Sequence, residues 1–173
     1  MKSKKSSEVT ILAIETSCDE TAASILRGKY PSAKPEFEII SSVVNSQINI
    51  HKKTGGVIPE TAARAHVKNI VPVIKETLRK GHLSLEEIDY FAVTSGPGLI
   101  VSLVIGVEFT KALALATNKK IIPTNHMAGH LYSAFASDPT KTKFPVISLI
   151  VSGGHTMLML LKSYKDFQVI GST

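Results

Sequence analysis

His126-Met127-Ala128-Gly129-His130 sets two imidazoles four residues apart, and on a helix residues at that spacing lie on one side, about one turn apart. Such a pair suits a single metal ion, for which imidazole nitrogen is a common ligand. The spacing serves equally for two histidines that share a helix face and bind nothing. Two ligands do not close a coordination shell, so a metal reading requires a further donor from elsewhere. The zinc-protease version of the pattern needs a Glu directly after the first His to activate water, and Met127 stands there. A second group, Glu15, Asp19 and Glu20, brackets Thr16-Ser17-Cys18. Asp19 has the chemistry of a base or of a partner for a substrate amine; the plainer alternative is a solvated polar turn. Glu15 differs, because it ends an apolar run and is expected to face a cleft. Cys18 has no adjacent base in the sequence and reads as a small turn residue. Gly96-Pro97-Gly98 precedes a helix as a dinucleotide loop does, but the third glycine position falls on Val101, so the loop is read as shaping a strand-to-helix turn. No P-loop sequence occurs.

The elements that must carry these residues follow from period and punctuation. Apolar runs at 11–15, 21–26 and 37–44, separated by a polar turn and a Pro-containing loop, predict a three-stranded meander. Pro59 opens a helix in which Ala63, Val67, Ile70, Val71, Ile74 and Leu78 recur at helical spacing up to Gly81, with a kink expected at Pro72. Ser84 and Glu87 form a capping box for one short turn. A strand at 90–94, an apolar helix at 99–117, a strand at 120–124 and a helix at 126–136 complete the pattern. After a polar loop the run at 146–151, the turn Ser152-Gly153-Gly154-His155 and the runs at 156–161 and 167–170 repeat the opening meander. The expected organisation is a disordered basic tail (1–8), an N-terminal lobe (9–136), a linker (137–144) and the first strands of a second, truncated lobe (145–173). The fold class is α/β, a mixed sheet with helices on its faces. Two such hairpins resemble the actin-like, hexokinase-like ATPase class, which grips nucleotide phosphates between lobes; Thr16-Ser17 and Ser152-Gly153-Gly154 would then approach an anion through backbone N–H groups and hydroxyls.

Composition sets the outer bounds. The chain has 173 residues, 20 Lys plus Arg against 14 Asp plus Glu, a net charge of +6 and one cysteine. An intrachain disulfide is excluded, and a chain of this size can hold a core without one. A cytoplasmic location is the default expectation. The apolar run after the basic start stops at Glu15, which excludes a secretory reading. The longest apolar stretch, 99–107, ends at Glu108, short of the roughly 20 residues a spanning helix needs, and reads as a buried core helix. No membrane partner is expected. The basic balance favours an anionic partner such as RNA, weakened by three lysines in the tail.

Five motifs, in order, resemble the tRNA threonylcarbamoyladenosine synthase family, whose catalytic subunit was once classed as a glycoprotease of peptidase family M22. They are residues 15–21 (ETSCDET), Gly55-Gly56-Val57-Ile58-Pro59-Glu60 with Ala63-Arg64-Ala65-His66, Ser95-Gly96-Pro97-Gly98-Leu99, His126-Met127-Ala128-Gly129-His130, and Val151-Ser152-Gly153-Gly154-His155-Thr156. The resemblance covers residues 11–173. It implies an acyltransferase that moves threonylcarbamoyl from threonylcarbamoyl-adenylate to N6 of adenosine 37 in tRNAs reading codons that begin with A. It further implies that His126 and His130 bind one divalent metal, iron or zinc, and that Ile150, Val151, Ser152, Gly153 and Gly154, with Thr16 and Ser17, bind the adenylate. Asp19 and Glu15 would lie at the reacting groups. The tRNA anticodon stem-loop, a non-catalytic paralogue and an ATPase of the bacterial complex are the implied partners. Family members continue beyond the equivalent of Thr173 into a lobe with a further metal ligand, so this chain is expected to be inactive alone. The alternatives are the non-catalytic scaffold paralogue, which should lack the paired histidines, and a metalloprotease, which Met127 disfavours.

Overall fold

The structure, a computed structural model, describes residues 7–32, 36–136, 142–152 and 155–173, with the backbone alone for Ser152 and His155. The chain divides into two compact units, Met1–His126 and Met127–Thr173.

The first unit is built on a five-stranded sheet in the order β3-β2-β1-β4-β5. β1 (Ser7–Glu15), β2 (Glu20–Tyr30) and β3 (Phe37–Ser46) form the antiparallel meander, and β4 (Tyr90–Gly96) and β5 (Lys120–Asn125) add in parallel beside β1. Pairing extends the strands beyond the apolar runs, because backbone hydrogen bonds do not require apolar side chains. Ser7, assigned to the tail by sequence, pairs with Tyr30 in β1, while residues 1–6 of that tail lie outside the described residues. Strand alternation decides which face is covered. Leu12 of β1 stands opposite Ile25 and Phe91, and Ile14 opposite Ala23 and Val93, so these side chains share one face. They bury against Ile70, Val73 and Ile74 of α2 (Pro59–Gly81). Each of the larger ones contributes about 1.5–3 kcal/mol by leaving water. α2 begins with Pro at its first turn and runs unbroken through Pro72. A short helix that the sequence did not announce, α1 (Ile48–His51), precedes it.

α3 (Ile100–Thr117) corrects one expectation. It continues past Glu108, which pairs with Lys111 at 2.8 Å, and is the one helix among the described residues whose length and composition would allow it to cross a membrane. It is not a helix enclosed by core on all sides. Its inward stripe is small: Ser102, Gly106, Thr110 and Ala114, one turn apart, face inward as the helix packs on β4 and α2. Ile100, Val101, Val104 and Leu115 are exposed on its other side. The reason lies at the β1–β2 turn, which the helix must approach closely. Thr16 Oγ1 donates to the Ser102 carbonyl at 2.9 Å, and a Cβ on Gly106 would collide with that same hydroxyl oxygen.

In the second unit α4 (His126–Ser133) contributes Leu131 to a core with Ile150, Met159 and Leu161. The helix ends three residues before the expected 136, and all of it beyond His126 belongs to this unit, although the sequence reading put it in the first lobe. β6 (Val146–Ser152), β7 (His155–Ser163) and β8 (Asp166–Ser172) form an antiparallel sheet, the repeated meander. Of the linker 137–144, residues 137–141 lie outside the described residues, and Phe144 packs edge-on against Tyr164 with ring centroids 4.8 Å apart.

A Cβ on Gly98 would lie 2.6 Å from the Ser17 carbonyl oxygen, a backbone atom that cannot swing aside. Gly98→Ala is therefore expected to destabilise the first unit by about 1–3 kcal/mol, the usual cost of overpacking. Urea unfolding measures this; unchanged or raised stability would contradict the close approach.

Candidate functional site

Three parallel strands end at one edge of the first unit's sheet, and their last residues supply the site. Glu15 closes β1, Thr94 stands beside it near the end of β4, and His126 follows directly on β5. An irregularity in the β4–β5 register between Thr94 and Gly96 falls at this edge. In open α/β sheets the carboxyl ends of the strands are where ligands bind.

Glu15 is the centre of the arrangement. One carboxylate oxygen accepts the Ser17 backbone N–H at 2.5 Å and the other accepts the Thr94 hydroxyl at 2.5 Å. His126 Nδ1 lies 3.5 Å from that second oxygen and 2.9 Å from Ser17 Oγ. Burial pushes the Glu15 carboxyl upward, but the hydrogen bonds from His126, Ser17 and Thr94 outweigh it and hold the group at about 2. The same contact with Glu15 raises His126, against the opposing effect of its partial burial. A carboxylate on Nδ1 fixes an imidazole's orientation and directs ligation to Nε2. Ala13, Ala22 and Ser24 keep the sheet surface beside Glu15 low and leave a small hollow there.

The predicted site residues separate. Glu15, Ser17 and His126 come together. Asp19 is half-buried at the far end of the same turn. Thr16 does not offer its hydroxyl to a ligand: the residue is 0% exposed and its Oγ1 is engaged by Ser102. Ser17, 1% exposed, likewise turns its hydroxyl toward His126. Burial and the Asp19 charge push the Cys18 thiol up, away from the thiolate a nucleophile needs, in keeping with a turn residue. His130 is exposed on α4, four residues after His126. Ile150 is buried in the second unit's core, so its side chain packs rather than binds, whereas Val151 is exposed. Ser152 is described by its backbone in β6, and Gly153 and Gly154 lie outside the described residues. Sequence reasoning missed Thr94, whose signal was a hydroxyl at the end of an otherwise apolar strand before Ser95-Gly96-Pro97-Gly98. It gave His66 no role, although a histidine on the buried face of α2 was a visible anomaly.

The meander, the two parallel strands and the start of a second meander define the actin-like ATPase fold. The chain is similar to YeaZ from Pseudomonas aeruginosa, with a TM-score of 0.58 at 16% identity over 95% of this chain and 66% of that one. It also resembles a PPX-GPPA enzyme from Aquifex aeolicus, with a TM-score of 0.51 at 14% identity over 96% of this chain and 52% of that one. Within that fold, the family model for tRNA N6-adenosine threonylcarbamoyltransferase matches residues 38–173. The chain belongs to this family. Relatives carrying that name include proteins of Staphylococcus haemolyticus, 49% identical over 96% of this chain and 46% of the relative, and Staphylococcus epidermidis, 50% identical over 94% and 45%. The chain thus spans about half the length of the curated relatives it matches.

The two shifts fix a pH window. The folded state holds Glu15 at about 2, below its ordinary 4.5, so its contribution is present above 4.5 and is lost as the pH falls toward 2. His126 is raised above its ordinary 6.5, so its contribution is complete below 6.5 and is lost as the pH rises through the folded value. In Glu15→Gln, urea unfolding is expected to lose the acid-side decline between 4.5 and 2, and the His126 titration followed by NMR should fall toward 6.5. An unchanged acid limb would show that the Glu15 charge is not held by these donors.

Proposed function

We propose that this chain supplies the N-terminal lobe of an enzyme that transfers threonylcarbamoyl from threonylcarbamoyl-adenylate to N6 of adenosine 37 in tRNAs reading codons that begin with A. The observation that carries the proposal is the Glu15–Ser17–His126 constellation at the carboxyl ends of β1 and β5, in a chain of this family. The reaction is acyl transfer to an amine. The C–N bond forms at the carbamoyl carbonyl, the C–O bond to the adenylate phosphate breaks, AMP leaves, and N6 loses a proton.

His126 and His130 would hold one divalent metal ion, iron or zinc. The local chemistry suits His126: its Nδ1 is backed by Ser17 and Glu15, the surroundings that orient a metal-binding imidazole. Among the described residues no third His, Cys, Asp or Glu completes a cluster able to hold a metal, so a further donor is required. When bound, the ion would supply Lewis-acid polarisation of the anhydride's carbonyl and phosphate. Asp19 would accept the N6 proton or orient the amine. The segment 150–154 would receive the adenylate through its backbone, since the Ile150 side chain is committed to the core. A net charge of +6 supports binding of the anticodon stem-loop through its phosphates, and a single-stranded adenine can be unstacked for reaction. The non-catalytic paralogue and the ATPase of the bacterial complex would be its protein partners, in the cytoplasm.

Titration with Zn²⁺ tests the metal assignment: His130→Ala and His126→Ala are each expected to weaken binding at least about tenfold, as loss of one ligand of a sparse site should. Binding indistinguishable from that of the unsubstituted chain would remove the pair from the site. Nucleoside analysis of tRNA incubated with a full-length enzyme that carries this lobe, its partner proteins and the adenylate tests the reaction. Threonylcarbamoyladenosine that disappears with His126→Ala supports it, and equal product from that variant contradicts it.

A further inference from the structure

We propose that His66, on α2, is a positioning residue for the candidate site: by donating Nε2–H to the Cys18 carbonyl it holds the 16–19 turn so that Ser17 Oγ stays on His126 Nδ1. The inference rests on the metal reading given above.

Three consecutive carbonyls of that turn each accept a hydrogen bond, and each donor comes from a different part of the lobe. The Leu99 N–H, ahead of α3, binds Ser17 O at 2.8 Å; His66 Nε2 binds Cys18 O at 3.0 Å; the Gln47 N–H, ahead of α1, binds Asp19 O at 2.9 Å. The outer two are backbone donors, which survive any side-chain change. The middle one is a side chain, and it holds the Cys18–Asp19 peptide, one peptide beyond Ser17. A carbonyl oxygen only accepts, so His66 Nε2 must carry the proton. The neutral ring then offers Nδ1 as an acceptor, and two donors address it, Thr21 Oγ1 at 2.8 Å and Gln47 Nε2 at 3.4 Å. The tautomer is thus fixed from both ends. His66 is 0% exposed, and its burial lowers its pKa, which keeps the ring neutral. A side chain needed only for volume would be apolar. This one instead meets a polar partner at each nitrogen, one of them the carbonyl of the residue that follows the serine touching His126. Without the donor, the Cys18 carbonyl loses its partner and the Cys18–Asp19 peptide gains freedom to turn, which loosens the turn that carries Ser17.

The test compares His66→Gln, whose amide places a donor where Nε2 was, with His66→Asn, which reaches only the δ position. Zn²⁺ alone is the probe, titrated against a chromophoric competitor. Asn is expected to weaken binding about tenfold, the lower end for groups that orient a ligand, and Gln to stay within about threefold of the unsubstituted chain. Equal affinity in both variants and the unsubstituted chain overturns the inference, as does equal loss in both. If His126→Ala leaves Zn²⁺ binding unchanged, the metal reading itself falls and takes the inference with it. A second measurement needs no variant. Long-range ¹H–¹⁵N spectra of the unsubstituted chain should show His66 as the neutral Nε2–H tautomer, and the Nδ1–H form would overturn the assignment.

Discussion

A single carboxylate ties the ends of two parallel strands to the turn between two antiparallel ones. Glu15 accepts from Ser17 on one oxygen and from Thr94 on the other, and His126 stands against both Glu15 and Ser17. A partly buried carboxylate is costly unless hydrogen-bonded, so its donors are tightly constrained. The constraint propagates outward. The turn after Glu15 must lie flat against the lobe, which requires Gly98 and Gly106 where it touches the α3 region, and small residues along the inward stripe of α3. Ile105, Phe109 and Leu113 pack against the core from the flanks of that stripe, while Ile100, Val101, Val104 and Leu115 are left on the exposed side.

This is also why the sequence misled at α3. The meander, the parallel strands and α2 were legible because alternation, helical spacing, Pro59 and Gly81 are local signals that agree with one another. The capping box at Ser84 formed as read, with the Ser84 N–H on Glu87 at 2.9 Å. α3 is apolar on nearly all sides, so its composition indicates burial without saying which face is buried. What decides is the approach of Thr16, 86 residues away from Ser102 in sequence. Pairings at such separation leave no periodic trace in the sequence. The same applies to Thr94 on Glu15, 79 residues apart, and to His66 on Cys18, 48 apart.

The candidate site was legible by residue type more than by orientation. Glu15 was singled out because an acid at the end of a buried strand needs a reason, and the structure supplies three donors. Thr16 and Ser17 were read as hydroxyls offered to an anion because small hydroxyl residues in such a turn can approach one closely. Here the turn folds back on the lobe and both are buried. His126 and His130 share α4, and His126 has the carboxylate and hydroxyl surroundings that orient an imidazole. At one end of the sheet three parallel strands deliver an acid, a hydroxyl and a histidine.

The central claim is that the 16–19 turn is a rigid part of the lobe and not a mobile loop. Amide hydrogen exchange tests it most directly, because the N–H groups of Ser17, Gln47 and Leu99 are the donors that close it. These three are expected to exchange as slowly as the central amides of β1, opening only with the unit as a whole. Exchange at the rate of exposed loop amides would contradict it.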